Sequence, residues 1–115
     1  MVHFVNRETV KVDANPIRTV WFLINKETVP MPLGAEAGLV AYNPLGSPDE
    51  RPTPHKDPDS EFFYVMSGEG VLFHDGEETS VKAGDAFVVP AGVSHALWSS
   101  GDEPMNAFYV EMVPR

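Results

Sequence analysis

The chain contains no cysteine, which removes disulfides, thiolate metal sites and thiol catalysis from consideration. It also lacks a long apolar run. No run exceeds five residues, the length of Val20 to Ile24, against the roughly 20 that a membrane-crossing helix needs. The N-terminal stretch MVHFVNRETV has no basic region followed by an apolar segment, so no signal peptide is read there and a soluble, cytoplasmic protein is expected. Basic residues are scarce: 8 Lys and Arg face 17 Asp and Glu, for a formal net charge of −9. Nucleic acid and anionic membrane surfaces demand the opposite sign. The partners that remain are small molecules, cations or another copy of the same chain. Helical periodicity is missing too. Ile17–Val29 is the one stretch long enough for a helix, and its apolar residues form a block of neighbours rather than an i, i+3, i+4 stripe, so a strand is preferred.

Eleven prolines and nine glycines are spread through the 115 residues, a length that suits one domain over 1–115. Between them lie short runs rich in Val, Phe, Tyr, Trp and Thr, which favour strands. Strands are expected near Thr9–Val12, Arg18–Asn25, Leu39–Tyr42, Glu61–Met66, Gly70–His74, Glu78–Lys82, Ala86–Val89, His95–Ser99 and Met105–Met112. Asp75-Gly76 signals a tight hairpin turn. Met31-Pro32-Leu33-Gly34 reads as a surface loop. Many short strands punctuated by turns imply an all-β sandwich or barrel. Residues 43–60 hold five prolines and one glycine and suit a structured loop leading into a site.

That loop runs directly into an apolar strand and carries His55, Asp57 and Glu61 to its entrance. In extended backbone, 55, 57, 61, 63 and 65 can share one face, allowing a kink at Pro58. This face offers three potential ligands followed by Phe63 and Val65, while Lys56, Phe62 and Tyr64 take the other. Carboxylates and an imidazole buried together are most easily stabilised by a divalent cation. A fourth candidate comes from GDAFVVPAGVSHALWS, residues 84–99. Two turns around a short strand would bring His95 back beside the first cluster, with Leu97 and Ser99 on its face. His74 reads as a solvated neighbour of the hairpin turn, and His3 has no partner in view. Gly68 and Gly70 lead into no helix, so no phosphate loop is present. Ser94-His95 lacks the strand-to-helix elbow of a hydrolase nucleophile.

The two segments resemble the paired motifs of the cupin superfamily. Gly84, Pro90, Gly92 and His95 match the second motif in identity and spacing, with Ser99 where the family has asparagine. His55, Glu61 and Gly68 fit the first motif, with Asp57 in place of the second histidine of the usual pair. In an alternative register, His55 is that second histidine and Thr53 takes the first position, which needs an extra residue before Glu61. The resemblance implies a double-stranded β-helix, the jelly-roll β-barrel, with motif one at about 46–68 and motif two at 84–99. It implies a divalent transition metal (Fe, Mn, Co, Ni or Zn) on His55, Asp57, Glu61 and His95, with Phe63, Leu97 and Ser99 lining the pocket. By the same resemblance, a homodimer formed through edge strands is expected, with Arg18–Ile24 suited to that role. The activity it suggests is a dioxygenase-type reaction on a small organic acid or a phenolic or carbonyl compound. The alternatives are an isomerase or decarboxylase, or a module that binds a small ligand or metal without turnover.

Overall fold

The computed structural model describes residues 2–29 and 34–112, so Met31, Pro32 and Leu33 of the expected loop lie outside the described residues. Among the described residues nine strands follow one another: β1 (Val12–Ala14), β2 (Arg18–Ile24), β3 (Ala35–Tyr42), β4 (Ser60–Ser67), β5 (Glu69–His74), β6 (Glu77–Lys82), β7 (Ala86–Val89), β8 (His95–Ser99) and β9 (Met105–Met112). A short 3-10 turn at Pro48–Glu50 interrupts the long loop before β4.

The strands form two antiparallel sheets, one ordered β1-β2-β3-β9-β4-β7 and the other β6-β5-β8. Their inner faces meet in one apolar cluster that includes Val20, Val40, Phe63, Val65, Leu72 and Met105. The fold is the all-β jelly roll expected from the sequence, although the two sheets do not join into a closed ring of ladders. The Asp-Gly signal is met: Asp75 and Gly76 both have positive φ, 50° and 75°, as the tightest hairpins require.

Three expectations change, the first being that the strand expected near Leu39–Tyr42 begins at Ala35. The strand placed at Thr9–Val12 begins only at Val12. Asn6 intervenes, its side-chain oxygen accepting from the Glu8 amide at 2.8 Å and its carbonyl from the Thr9 amide at 3.0 Å. Such a turn offers the backbone an alternative to a ladder. Arg18–Ile24 is also not an edge. β3 pairs along one side of it, and β1 covers the other through Val12–Trp21, Asp13–Val20 and Ala14–Thr19. On that side the edge of the sheet is β1.

The strand alternation read for the segment entering β4 holds. Phe63 and Val65 are buried, Tyr64 is exposed, and Glu61 sits half-buried at the head of the inward row. β4 and β8 belong to opposite sheets and begin at the same end of the molecule, so Glu61 and His95 look into the space between them.

Candidate metal centre

Residues 51–59 form no continuous strand. Prolines at 52, 54 and 58 remove the amides that a ladder would need. One antiparallel bridge survives, between His55 and His95. Each amide donates to the other's carbonyl at 2.9 Å, which sets the two rings 4.5 Å apart between centroids. Two further bonds tie the loop to the turn before β8. The Gly92 amide donates to the Asp57 carbonyl at 2.8 Å, and the Ala91 amide to Ser60 Oγ at 2.9 Å. Gly92 has φ +81°, a left-handed conformation that glycine adopts without strain. The motif spacing thus has a mechanical cause: the Pro90–Gly92 turn both reverses the chain and docks the acidic loop.

His95 is buried, with 4 % of its surface exposed. Its Nδ1 lies 2.9 Å from the Val93 carbonyl, which can only accept, so Nδ1 carries the proton in the neutral ring. That leaves the Nε2 lone pair directed into the site. Nε2 is 3.7 Å from Asp57 Oδ2 and 3.8 Å from Glu61 Oε1. His55 Nε2 is 3.2 Å from the same Asp57 oxygen. One donor atom each from His55, Asp57 and His95 lies within 4.8 Å of the other two, while Glu61 meets this trio through His95 and Asp57. Of the two registers left open above, the structure brings Asp57 to the cluster and leaves Thr53 exposed.

The electrostatics point the same way. Burial, together with the hydrogen bond and charge of Asp57, pushes the Glu61 carboxyl up to about 8. The hydrogen bond from Glu61 holds Asp57 below its usual range. The two therefore share one proton, which a divalent cation would displace. Burial and a hydrogen bond to Asp59 push Glu111 up to about 7, and burial also raises the hydroxyls of Tyr42 and Tyr109, the latter to about 12. Two imidazoles with oriented nitrogens beside two carboxylates are a borderline-soft donor set that suits first-row transition ions.

Two cavities open on this cluster, of about 210 and 180 Å³. Both are lined by Arg18, Tyr42, His55, Glu61 and Phe63. Phe63 stacks on Phe87 at 5.1 Å and forms the apolar wall, and Leu97 lines the larger cavity. Ser99 is a correction: it lines neither cavity, and its hydroxyl donates to the Glu103 carbonyl at 3.0 Å at the far end of β8. His74 is engaged by Asp75 and Thr79 on the β5–β6 hairpin, and His3 is exposed. Sequence reasoning missed Arg18, Tyr42, Tyr109 and Glu111. The signal available was parity: Arg18 continues the inward row of Val20 and Phe22 on β2.

Comparison with known proteins gives three kinds of match. The family model described as Cupin domain matches residues 46–111. A 3-hydroxyanthranilate 3,4-dioxygenase of Bacillus cereus is 42% identical over 57 residues, covering 45% of this chain and 32% of that protein. An oxalate-binding protein of Thermotoga maritima is 35% identical over 46 residues, covering 40% and 38%. The matching segment thus spans only about a third of these relatives. Among solved structures, the polyketide cyclase RemF of Streptomyces resistomycificus superposes with a TM-score of 0.80 at 20% identity, covering 100% of this chain and 82% of that one. A Thermotoga maritima protein described as a "predicted oxalate decarboxylase" superposes at 0.75 with 21% identity, covering 96% and 99%.

Proposed function

Starting from a chain that belongs to the cupin domain family, we propose a metal-dependent enzyme of dioxygenase type, acting on a small organic acid or a phenolic or carbonyl compound. The observation that carries this reading is the mutual His55–His95 bridge, which sets two imidazoles beside the Asp57 carboxylate, with Glu61 next to His95. His55, Asp57, Glu61 and His95 would hold the ion. When bound, a redox-active ion such as Fe(II) would supply the means to bring dioxygen and a chelating substrate together. The chain's own residues do the rest. The Val93 carbonyl orients His95, the Asp57–Glu61 pair releases its proton as the cation enters, and Phe63 and Leu97 exclude water from one side. The similarity to the dioxygenase segment supports the choice of reaction class. The proposal extends to a homodimer working in the cytoplasm; among the described residues no helix is long and apolar enough to cross a membrane.

The second reading is a module that binds a small acid without turnover, which the similarity to an oxalate-binding protein favours. Oxygen uptake by Fe(II)-loaded protein with a panel of phenolic and carboxylic acids separates the two. Substrate-dependent oxygen consumption that is lost in His95→Ala supports the enzyme. Tight binding of an acid without oxygen uptake or product favours the module.

A further inference from the structure

Arg18 opens β2 directly across from Tyr42 on β3, which places the two side chains on the same face of the sheet. That face is the inner one, since Val20 two residues on belongs to the core and Phe22 packs against it. The backbone of Arg18 is fixed on entry. Its amide donates to Asn15 Oδ1 at 2.9 Å, and its carbonyl accepts from the Asn15 amide at 2.9 Å. Among the described residues, Arg18 is the sole Lys or Arg lining either cavity, and it forms no ion pair within 4.0 Å. A guanidinium that lines both cavities together with Tyr42, yet is matched to no carboxylate, has donors to offer at the rim of the cluster.

The geometry points to Arg18 and Tyr42 as the clamp for a carboxylate on the ligand that occupies the cavity beside His55 and His95. The inference deepens the reading of a small-molecule site next to a metal and rests on it. Arginine presents a planar fork of N–H donors that matches a carboxylate in bidentate fashion, and such charge-assisted bonds are about twice as strong as neutral ones. Tyr42 is buried and keeps its proton, so its hydroxyl can donate alongside. The surroundings make the choice selective. Asp13, Asp57, Glu61 and Glu111 line the smaller cavity with Arg18, so among the described lining residues only the guanidinium offers an anion a fixed positive charge. Size narrows the class further. A cavity of about 150 Å³ holds one benzene ring, so about 210 Å³ admits a single substituted ring or a short-chain acid. The ligand class is a small monocarboxylate with a second donor that reaches the metal.

The test compares 2-hydroxybenzoate with its neutral isostere 2-hydroxybenzamide, titrated calorimetrically into the whole chain loaded with redox-silent Zn(II). The wild type is expected to prefer the acid. Arg18→Gln should weaken the acid by about tenfold or more, while the amide stays within about twofold. Arg18→Lys should recover part of the loss by restoring the charge, and zinc content should match the wild type in both variants. A wild type with no preference for the acid, or an Arg18→Gln loss that is equal for acid and amide, overturns the clamp. If the wild type fails to retain zinc, the same titrations are run on metal-free protein. An Arg18-dependent preference for the acid then supports the clamp while the metal reading falls, and its absence overturns the clamp as well.

Discussion

His55 and His95 hold each other by their backbones, amide to carbonyl in both directions at 2.9 Å, while their side chains share the Asp57 carboxylate and His95 also faces Glu61. The ligating geometry is therefore built by main chain and does not depend on the metal to create it. The chain reconstituted with Fe(II), Co(II) or Zn(II) is expected to keep about one ion per molecule through gel filtration. His95→Ala and His55→Ala should each retain less than about a tenth as much. Elemental analysis of all three proteins decides the point, and wild-type occupancy near zero for every ion would remove the metal from the account.

Asp57 occupies the place of a second histidine and touches both rings. Asp57→Asn, which keeps the shape and removes the charge, should weaken metal binding by about tenfold or more. Thr53→Ala, at an exposed position, should leave it unchanged. Competition with a chromogenic chelator measures both, and the reverse pattern would assign the ligand to the other register.

The shared proton makes stability depend on pH. Glu61 keeps its proton up to about 8 in the folded chain against 4.5 ordinarily, so the folded state binds more protons between those values. Its contribution is full below about pH 4.5 and is lost as pH rises to about 8. Glu111, raised to about 7, acts in the same direction. Asp57, held low, acts oppositely, its contribution being lost only as pH falls below its ordinary range. Metal-free protein should therefore melt at least about 4 °C higher at pH 5 than at pH 8, the equivalent of ~1 kcal/mol in a domain of this size. Glu61→Gln should flatten that slope. A bound cation should reverse it, because it displaces the proton. Calorimetric melts with and without chelator test all three, and an equally flat profile for wild type and Glu61→Gln would show that no proton is shared.

Phe63 is a core residue that also lines both cavities, with 5 % of its surface exposed and its ring stacked on Phe87. Phe63→Ala should cost about 3–5 kcal/mol, the usual range for emptying a buried aromatic site. Phe63→Leu should cost less while enlarging the cavity. Urea denaturation of both gives the numbers, and a loss under about 1 kcal/mol for the alanine variant would mean the site collapses freely.

The parts of the site legible in the sequence are those carried by local pattern. Glu61 and Phe63 follow from alternation through β4, His55 and Asp57 from their spacing before Glu61, and His95 from two turns whose glycines leave a recognisable spacing. Arg18, Tyr42, Tyr109 and Glu111 arrive from β2, β3 and β9, and their approach depends on strand register, which no short stretch encodes. Ser99 misled for a related reason. Every residue of β8 is buried, so burial does not report which face meets the cavity, and two further steps along the strand carry Ser99 past its end. The early start of β3 at Ala35 was hidden because Glu36 and Gly38 look unlike a strand until β9 pairs with them.

Because the two sheets stay unjoined, the described residues leave the borders of β1, β6 and β7 open, while His55 and Pro44 bridge the outer side of β8. β1 is three residues long. β7 has four and stops at Pro90, which has no amide to offer an incoming strand. β6 presents Glu77, Glu78 and Lys82 to solvent, and β8 is cut short by the turn that follows Ser99, where Ser99 also engages the Glu103 carbonyl. Short, charged or proline-stopped borders resist runaway strand addition. The barrel can thus stay unsealed without offering a long bare edge to another strand.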